Sequence, residues 1–261
     1  MDSPAHLTID DVSLSISGLN ILTRITMEVF KGKLLALIGP NGAGKTSLLN
    51  CISGIYQATH GKILLAGADL VGLKPHDVAR VGIARTFQHV ELFRRMSVLQ
   101  NILAGRHIKM KRNLLSNGIF WGQTIREEAA HREEVEKIID FLELQRFRKT
   151  NASELPYGIQ KIVGLARALA MEPQILLLDE PSAGMNRREK EDLARFILRI
   201  KHEIGTTMIW VEHDMQLVGD LADYAVVLNF GNQIAGGSPR DVLGDPGVVE
   251  AYLGTRGSEH P

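Results

Sequence analysis

Residues 34–46 read LLALIGPNGAGKT, and this stretch decides the fold. LLALI at 34–38 is short and apolar on both faces, as a buried parallel strand should be. GPNGAGKT at 39–46 matches G-x-x-x-x-G-K-S/T, the phosphate-binding loop. KTSLLNCISG at 45–54 continues as a helix, so the motif sits in the strand–loop–helix context it requires. Small residues let backbone N–H groups approach the phosphates, and the following helix adds its positive end. Gly39, Pro40, Asn41, Gly42, Ala43, Gly44, Lys45, Thr46 and Ser47 are therefore the expected phosphate contacts. Lys45 would reach the β- and γ-phosphates, and Thr46 would give a hydroxyl to Mg²⁺.

Further along, ILLLDEP at 175–181 is four apolar residues ending in Asp179 and Glu180. Asp179, closing a buried strand, is poised to hold the metal through water. Glu180 points differently and can polarise an attacking water. His213, in WVEHD after another apolar strand, could bond the γ-phosphate and orient Glu180. Gln88, in RTFQH, carries an amide that donates to a water or phosphate oxygen and accepts near Mg²⁺. Together these residues are the equipment for hydrolysing ATP.

The 261 residues, 44% hydrophobic and 23% charged, are enough for one large α/β domain or a core with a smaller subdomain. Thirty basic residues balance thirty acidic ones, which gives no support to a nucleic-acid binder. The single cysteine, Cys51, excludes an internal disulfide and a cysteine zinc cluster, and is expected to be a small buried residue. MDSPAHLTIDD at the N-terminus does not read as a signal peptide. No apolar run approaches the roughly 20 residues of a membrane span, so any membrane attachment is expected through another chain.

Strand patterns cover 7–38, with SGLN as a turn, and continue through GKILLAG and GIARTF. From about 97 to 171 the spacing turns helical in SVLQNILAGR, REEAAHREEVEKIIDFLEL and GIQKIVGLARALAME. Residues 90–160 read as a helical subdomain inserted into a core made of 1–89 and 161–261. Strands return at 175–179, 206–212, 223–229 and 232–237, with helices starting near Asn186 and Asp214. RHIKMKR at 106–112 reads as a solvated basic loop, and REEAAHREEVEK at 126–137 as a charged outer helix face.

The phosphate loop, Gln88, the Asp179–Glu180 pair, SAGMN at 182–186 and His213 occur in the order of one family. Over nearly its whole length the chain resembles the nucleotide-binding subunits of ABC transporters. RTFQHVELFRRMSVLQNI, EHDMQLV and the ending AYLG look like the LivG type, which powers branched-chain amino acid importers. The resemblance implies a P-loop NTPase (RecA-like) α/β core, an N-terminal antiparallel β-subdomain and an inserted helical subdomain. It also implies a head-to-tail dimer with two ATPs, each between one chain's phosphate loop and the other's signature segment. The implied partners are two transmembrane permeases, a second ATPase subunit (a paralogue or a second copy) and, indirectly, a periplasmic substrate-binding protein. The implied location is peripheral, on the cytoplasmic face of the inner membrane, with the permeases docked near 88–98.

Two departures from the family pattern stand out. The signature, usually L-S-G-G-Q or L-S-Y-G-Q, is LPYGI at 155–159. Pro156 removes a hydroxyl and an N–H, Ile159 replaces the glutamine, and Tyr157 and Gly158 remain to face the nucleotide. A lost hydrogen bond to charged phosphate is worth about 1.5–3 kcal/mol, roughly ten- to a hundredfold. The adenine-stacking aromatic is best matched by Ile16, which can pack on the base but has no π-face. Three alternatives stay open: a lipopolysaccharide-type export ATPase, an ABC-type ATPase of DNA repair, and a subunit that closes on ATP and hydrolyses it weakly.

Overall fold

A computed structural model describes residues 4–86, 88, 91–109 and 121–254, excepting the side chains of 121–127 and 254. Strands β1 (Ala5–Ile16) and β2 (Leu19–Phe30) form a hairpin whose inward residues change parity part-way. Leu7 and Ile9 are buried, then Val12 and Leu14; on β2, Leu22 is buried, then Ile25, Met27 and Val29. Simple alternation cannot do this, and the register shifts opposite Asp11 and Arg24 explain it. Both residues have φ near +51°, and the Arg24 guanidinium donates to Asp11 Oδ1 at 2.7 Å across the irregularity.

The chain then enters β3 (Leu34–Ile38), turns through the phosphate loop into α1 (Lys45–Ile52), and returns to β4 (His60–Leu65) and β5 (Ala68–Asp69). These last two complete a four-stranded antiparallel sheet in the order β2-β1-β4-β5. Helix α2 (Pro75–Arg80) leads to β6 (Ile83–Thr86). The helical region holds α3 (Val98–Gly105), α4 (Trp121–Phe141) and α5 (Tyr157–Leu169). The chain finishes with β7 (Ile175–Asp179), α6 (Arg187–Arg199), β8 (Thr207–Val211), α7 (Met215–Leu221), β9 (Tyr224–Asn229), β10 (Asn232–Gly237), α8 (Pro239–Leu243) and α9 (Pro246–Gly254).

The second sheet runs β10-β9-β3-β8-β7-β6, parallel except for β10. Its β3, β8 and β7 are buried at every residue, which is why their sequences are continuous apolar runs. Because they lie side by side, their C-terminal ends bring the phosphate loop, Asp179–Glu180 and Glu212–His213 to one edge, where open parallel sheets hold their ligands.

Among the described residues, the helical region shares its core with the sheet. Val98, Ile102, Val135, Ile139, Ile162 and Leu165 pack in one buried cluster with Leu176, Leu178, Met208 and Trp210 of the sheet. Fully buried Asn101 fastens its entrance, donating to the carbonyls of Phe93, Met96 and Ser97 and accepting from the Phe93 amide at 2.8 Å. The boundary expected at residue 160 falls inside α5, which runs unbroken from Tyr157 to Leu169. The basic stretch at 106–112 is not simply solvated. Arg106 is 6% exposed and donates to His131 Nδ1, Ala170 O and Glu172 Oε1; residues 110–112 lie outside the described set. On α4, Lys137 pairs with Glu133 and Glu134 on the outer face, but Glu136 turns to Arg148.

Candidate active site

The phosphate loop is held open by backbone geometry. Gly39 has φ +145°, and a Cβ there would lie 2.0 Å from the Leu228 carbonyl oxygen. Gly44, the residue before α1, has φ +102°, and its Cβ would meet Leu22 Cδ2 at 2.7 Å. Only glycine fits either place. A Cβ on Gly42 would meet nothing, so the outer side of the loop is open. No side chain caps α1, which leaves its first-turn N–H groups without an internal partner. Lys45 folds back: Nζ donates to Gly39 O at 2.7 Å and Pro40 O at 2.9 Å, and the residue is 5% exposed. Burial pulls its pKa down, opposed by the charges of Glu180 and Asp179. Thr46 is exposed and Ser47 half-buried at the start of the helix.

Asp179 closes β7 at 3% exposure. Its Oδ2 accepts from Arg85 Nη2 at 2.6 Å, while Oδ1 is buried with no hydrogen-bond partner. Arg85 is in turn fixed by Asn50 of α1, donating to its Oδ1 at 2.6 Å. A buried carboxylate with one oxygen tied and the other left over suits a hard cation.

Glu180 follows with φ +45°, a left-handed conformation that is strained for a residue with a side chain. Its carboxylate sits between two partners. Gln88 Nε2 donates to Oε2 at 2.7 Å, and His213 Nε2 lies 2.6 Å from Oε1. An ionised carboxylate only accepts, so this contact requires the proton on His213 Nε2. Gln88 therefore rests on Glu180. Behind His213, Glu212 is 2% exposed and its Oε1 accepts from Ser182 Oγ and from the His213 and Asp214 amides.

Segment 155–159 packs elsewhere. Pro156, extended at φ −54° and ψ 148°, is the N-cap of α5, again with no side-chain cap. Gly158 is buried under α6, and a Cβ there would lie 2.4 Å from Glu189 Oε1. Tyr157 is half exposed beside Gly184, and Ile159 packs on the core. Ile16 pairs with Leu19 at the hairpin tip, partly exposed; Ile21 and Leu22, not Ile16, press on the loop. Cys51 is buried, and desolvation pushes its thiol up to about 11.

Arg85, Lys161 and Glu212, whose side chains are buried, were not singled out by the sequence reading. A signal existed for each, because a charge on an otherwise buried strand or helix face needs a partner. Arg85 interrupts the strand IART, Glu212 follows TMIWV, and Lys161 shares the buried face of α5 with Gly158, Ile162 and Leu165. Which partners they meet is not written locally.

A family model described as ABC transporter matches residues 22–183, from β2 through the loop after Glu180. The chain belongs to the ABC transporter family. As an ABC ATPase it binds ATP. It is 38% identical over 251 residues to the high-affinity branched-chain amino acid transport ATP-binding protein LivG of Escherichia coli K12, covering 95% of this chain and 97% of that one. A probable branched-chain amino acid transport ATP-binding protein LivG of Archaeoglobus fulgidus is 34% identical, with 97% of each chain covered. Among solved structures, the ADP conformation of an ATP-binding cassette of an ABC transporter superposes with TM-score 0.85 at 32% identity, covering 97% of this chain and all of that one (100%). A nucleotide-free cassette gives TM-score 0.83 at 31% identity, covering 95% and 99%. Among the described residues, no helix is long and apolar enough to cross a membrane.

Proposed function

We propose that this ABC ATPase powers the import of branched-chain amino acids or related small molecules, with Glu180 as the carboxylate that polarises the attacking water. The observation that carries the mechanism is the Glu180 carboxylate held between Gln88 and His213, one residue beyond buried Asp179. Glycines and backbone N–H groups of 39–47 bind the phosphates, and Lys45 exchanges its two loop carbonyls for phosphate oxygens. Mg²⁺ fits the donor set of Thr46 Oγ1 and Asp179 Oδ1, the latter buried without another partner, with Gln88 able to join them. When bound, it would neutralise phosphate charge and orient the triphosphate. Freed from Gln88, the Glu180 carboxylate has a vacant acceptor for a water proton, while His213 keeps it aimed.

The cargo rests on the 38% identity to transport ATP-binding proteins of that class. In this reading the chain sits at the cytoplasmic face of the inner membrane beneath two permease subunits, served by a periplasmic binding protein. It pairs with a second ATPase, and Tyr157 and Gly158 at the start of α5 serve the partner's ATP. Phe93 (53% exposed) and Met96 (41% exposed) give the permeases an apolar contact. Ile16 packs on adenine. A second reading, a subunit that closes on ATP but hydrolyses it slowly, is favoured by Pro156 and Ile159.

Glu180→Gln tests the first reading. The substitution keeps the shape and both neighbours but removes the base, so ATP binding persists while turnover falls about 10²–10⁴-fold. Wild-type hydrolysis by this variant in the assembled transporter would remove Glu180 from the role.

A further inference from the structure

Lys161 sits on the buried face of α5, where its neighbours on that face are apolar, and it is 9% exposed. A buried ammonium is costly unless its donors are used. Nζ donates to Gln88 O at 2.9 Å and to Glu180 O at 3.2 Å. These are the backbone carbonyls of the two residues whose side chains already meet, Gln88 Nε2 to Glu180 Oε2 at 2.7 Å. One cation and one side-chain hydrogen bond therefore close a ring through Lys161, Gln88 and Glu180. The same ammonium lies 5.6 Å from the ring centre of Tyr157, in the segment that begins α5.

We propose that Lys161 is a positioning residue for Glu180, transmitting the placement of α5 and its LPYGI segment to the carboxylate through the Gln88 and Glu180 carbonyls. The proposal rests on the assignment of Glu180 given above. Glu180 has a left-handed backbone, φ +45°, that relaxes unless its surroundings hold it. Two bonds hold its carbonyl: the Ala183 amide at 3.2 Å, within the same turn, and Lys161, from the helical region. Only the second connects Glu180 to α5. A shift of α5 relative to the sheet moves Nζ, and with it both peptides that aim the Glu180 carboxylate. Desolvation pulls the lysine's pKa down, and the charges of Glu180, Glu212 and Asp179 oppose that shift. An apolar residue of the same length would fill the space and leave both carbonyls without this donor.

Lys161→Met in the assembled transporter separates positioning from packing. Binding of a fluorescent ATP analogue and the KM for ATP should stay within about twofold, because no phosphate contact is lost, while kcat falls about tenfold. Amide hydrogen exchange without nucleotide should quicken in peptides containing Gln88 and Glu180, and the melting temperature should change little. Lys161→Arg, which keeps a donor at that end, should recover most of the lost kcat. An unchanged kcat in Lys161→Met overturns the proposal. So does a parallel loss of binding, kcat and melting temperature in both variants, which would make Lys161 a packing residue. Glu180→Gln in the same assay distinguishes the two levels. If it stops turnover and Lys161→Met does not slow it, only the lysine's role fails; if it turns over normally, the Glu180 assignment itself fails.

Discussion

The phosphate loop and the LPYGI segment are two answers to one problem, the presentation of a helix N-terminus. Side chains cap α3, α6, α7 and α8, through Ser97, Asn186, Asp214 and Ser238. Neither α1 nor α5 has a side-chain cap. At α1 the unused N–H groups come with a complete cradle: strained glycines, an open outer side, a buried lysine and carboxylates on adjacent strands. At α5 the N-cap is Pro156, which has no N–H to offer, and the segment packs against Glu189 and Gly184. The difference teaches that the loop carries its own cradle, whereas the segment carries none around its helix end.

Lys45→Ala presses hardest on that contrast. It removes the cation of the complete site, and by the magnitude of hydrogen bonds to charged groups ATP affinity should drop about a hundredfold. Equilibrium binding of a labelled ATP measures it, and normal affinity would mean that the loop is not the principal anchor.

A smaller effect is expected at the incomplete site. Pro156→Ser with Ile159→Gln restores the hydroxyl and amide of the family pattern and should raise turnover of the assembled complex about tenfold. The gain should appear in kcat more than in binding, since the γ-phosphate contact matters most as charge moves. If the partner ATPase is a second copy, both sites gain; if it is a paralogue with an intact signature, only the ATP on the paralogue's loop does. An unchanged rate would show that Gly158 and the helix end suffice.

The smallest effect is a difference in stability between two glycines. Gly44→Ala places a Cβ against Leu22 at a φ that disfavours side chains, for about 2 kcal/mol. Gly158→Ala meets the end of the flexible Glu189 side chain, which can swing away by giving up its part in the α6 capping box, for about 1 kcal/mol. Urea unfolding of the two variants measures the difference. Equal losses would mean that the segment is as rigidly built as the loop.

The parts legible in sequence were those whose chemistry is local. GPNGAGKT specifies its own turn, ILLLDE its own strand end, and Asn186 and Asp214 the starts of their helices. Parity shifts in β1 and β2 were not legible, because a bulge is fixed by the partner strand rather than by alternation within one. Arg106 read as a solvated cation since a charge run carries no sign of the carbonyl, the carboxylate and the imidazole it donates to.

By itself, then, the sequence determined the loop, the acidic pair and the starts of α6 and α7, each of which depends on residues a few positions apart, and the order of motifs that carries the family resemblance. Only the tertiary structure decided that Arg85 meets Asp179, that Gln88 and His213 close on Glu180, and that Lys161 reaches across from α5 to both backbones. The Arg85–Asp179 pair is 94 residues apart and the Gln88–Glu180 pair 92. Such contacts follow from the strand order β3-β8-β7-β6, which non-local packing selects and no short window of residues records.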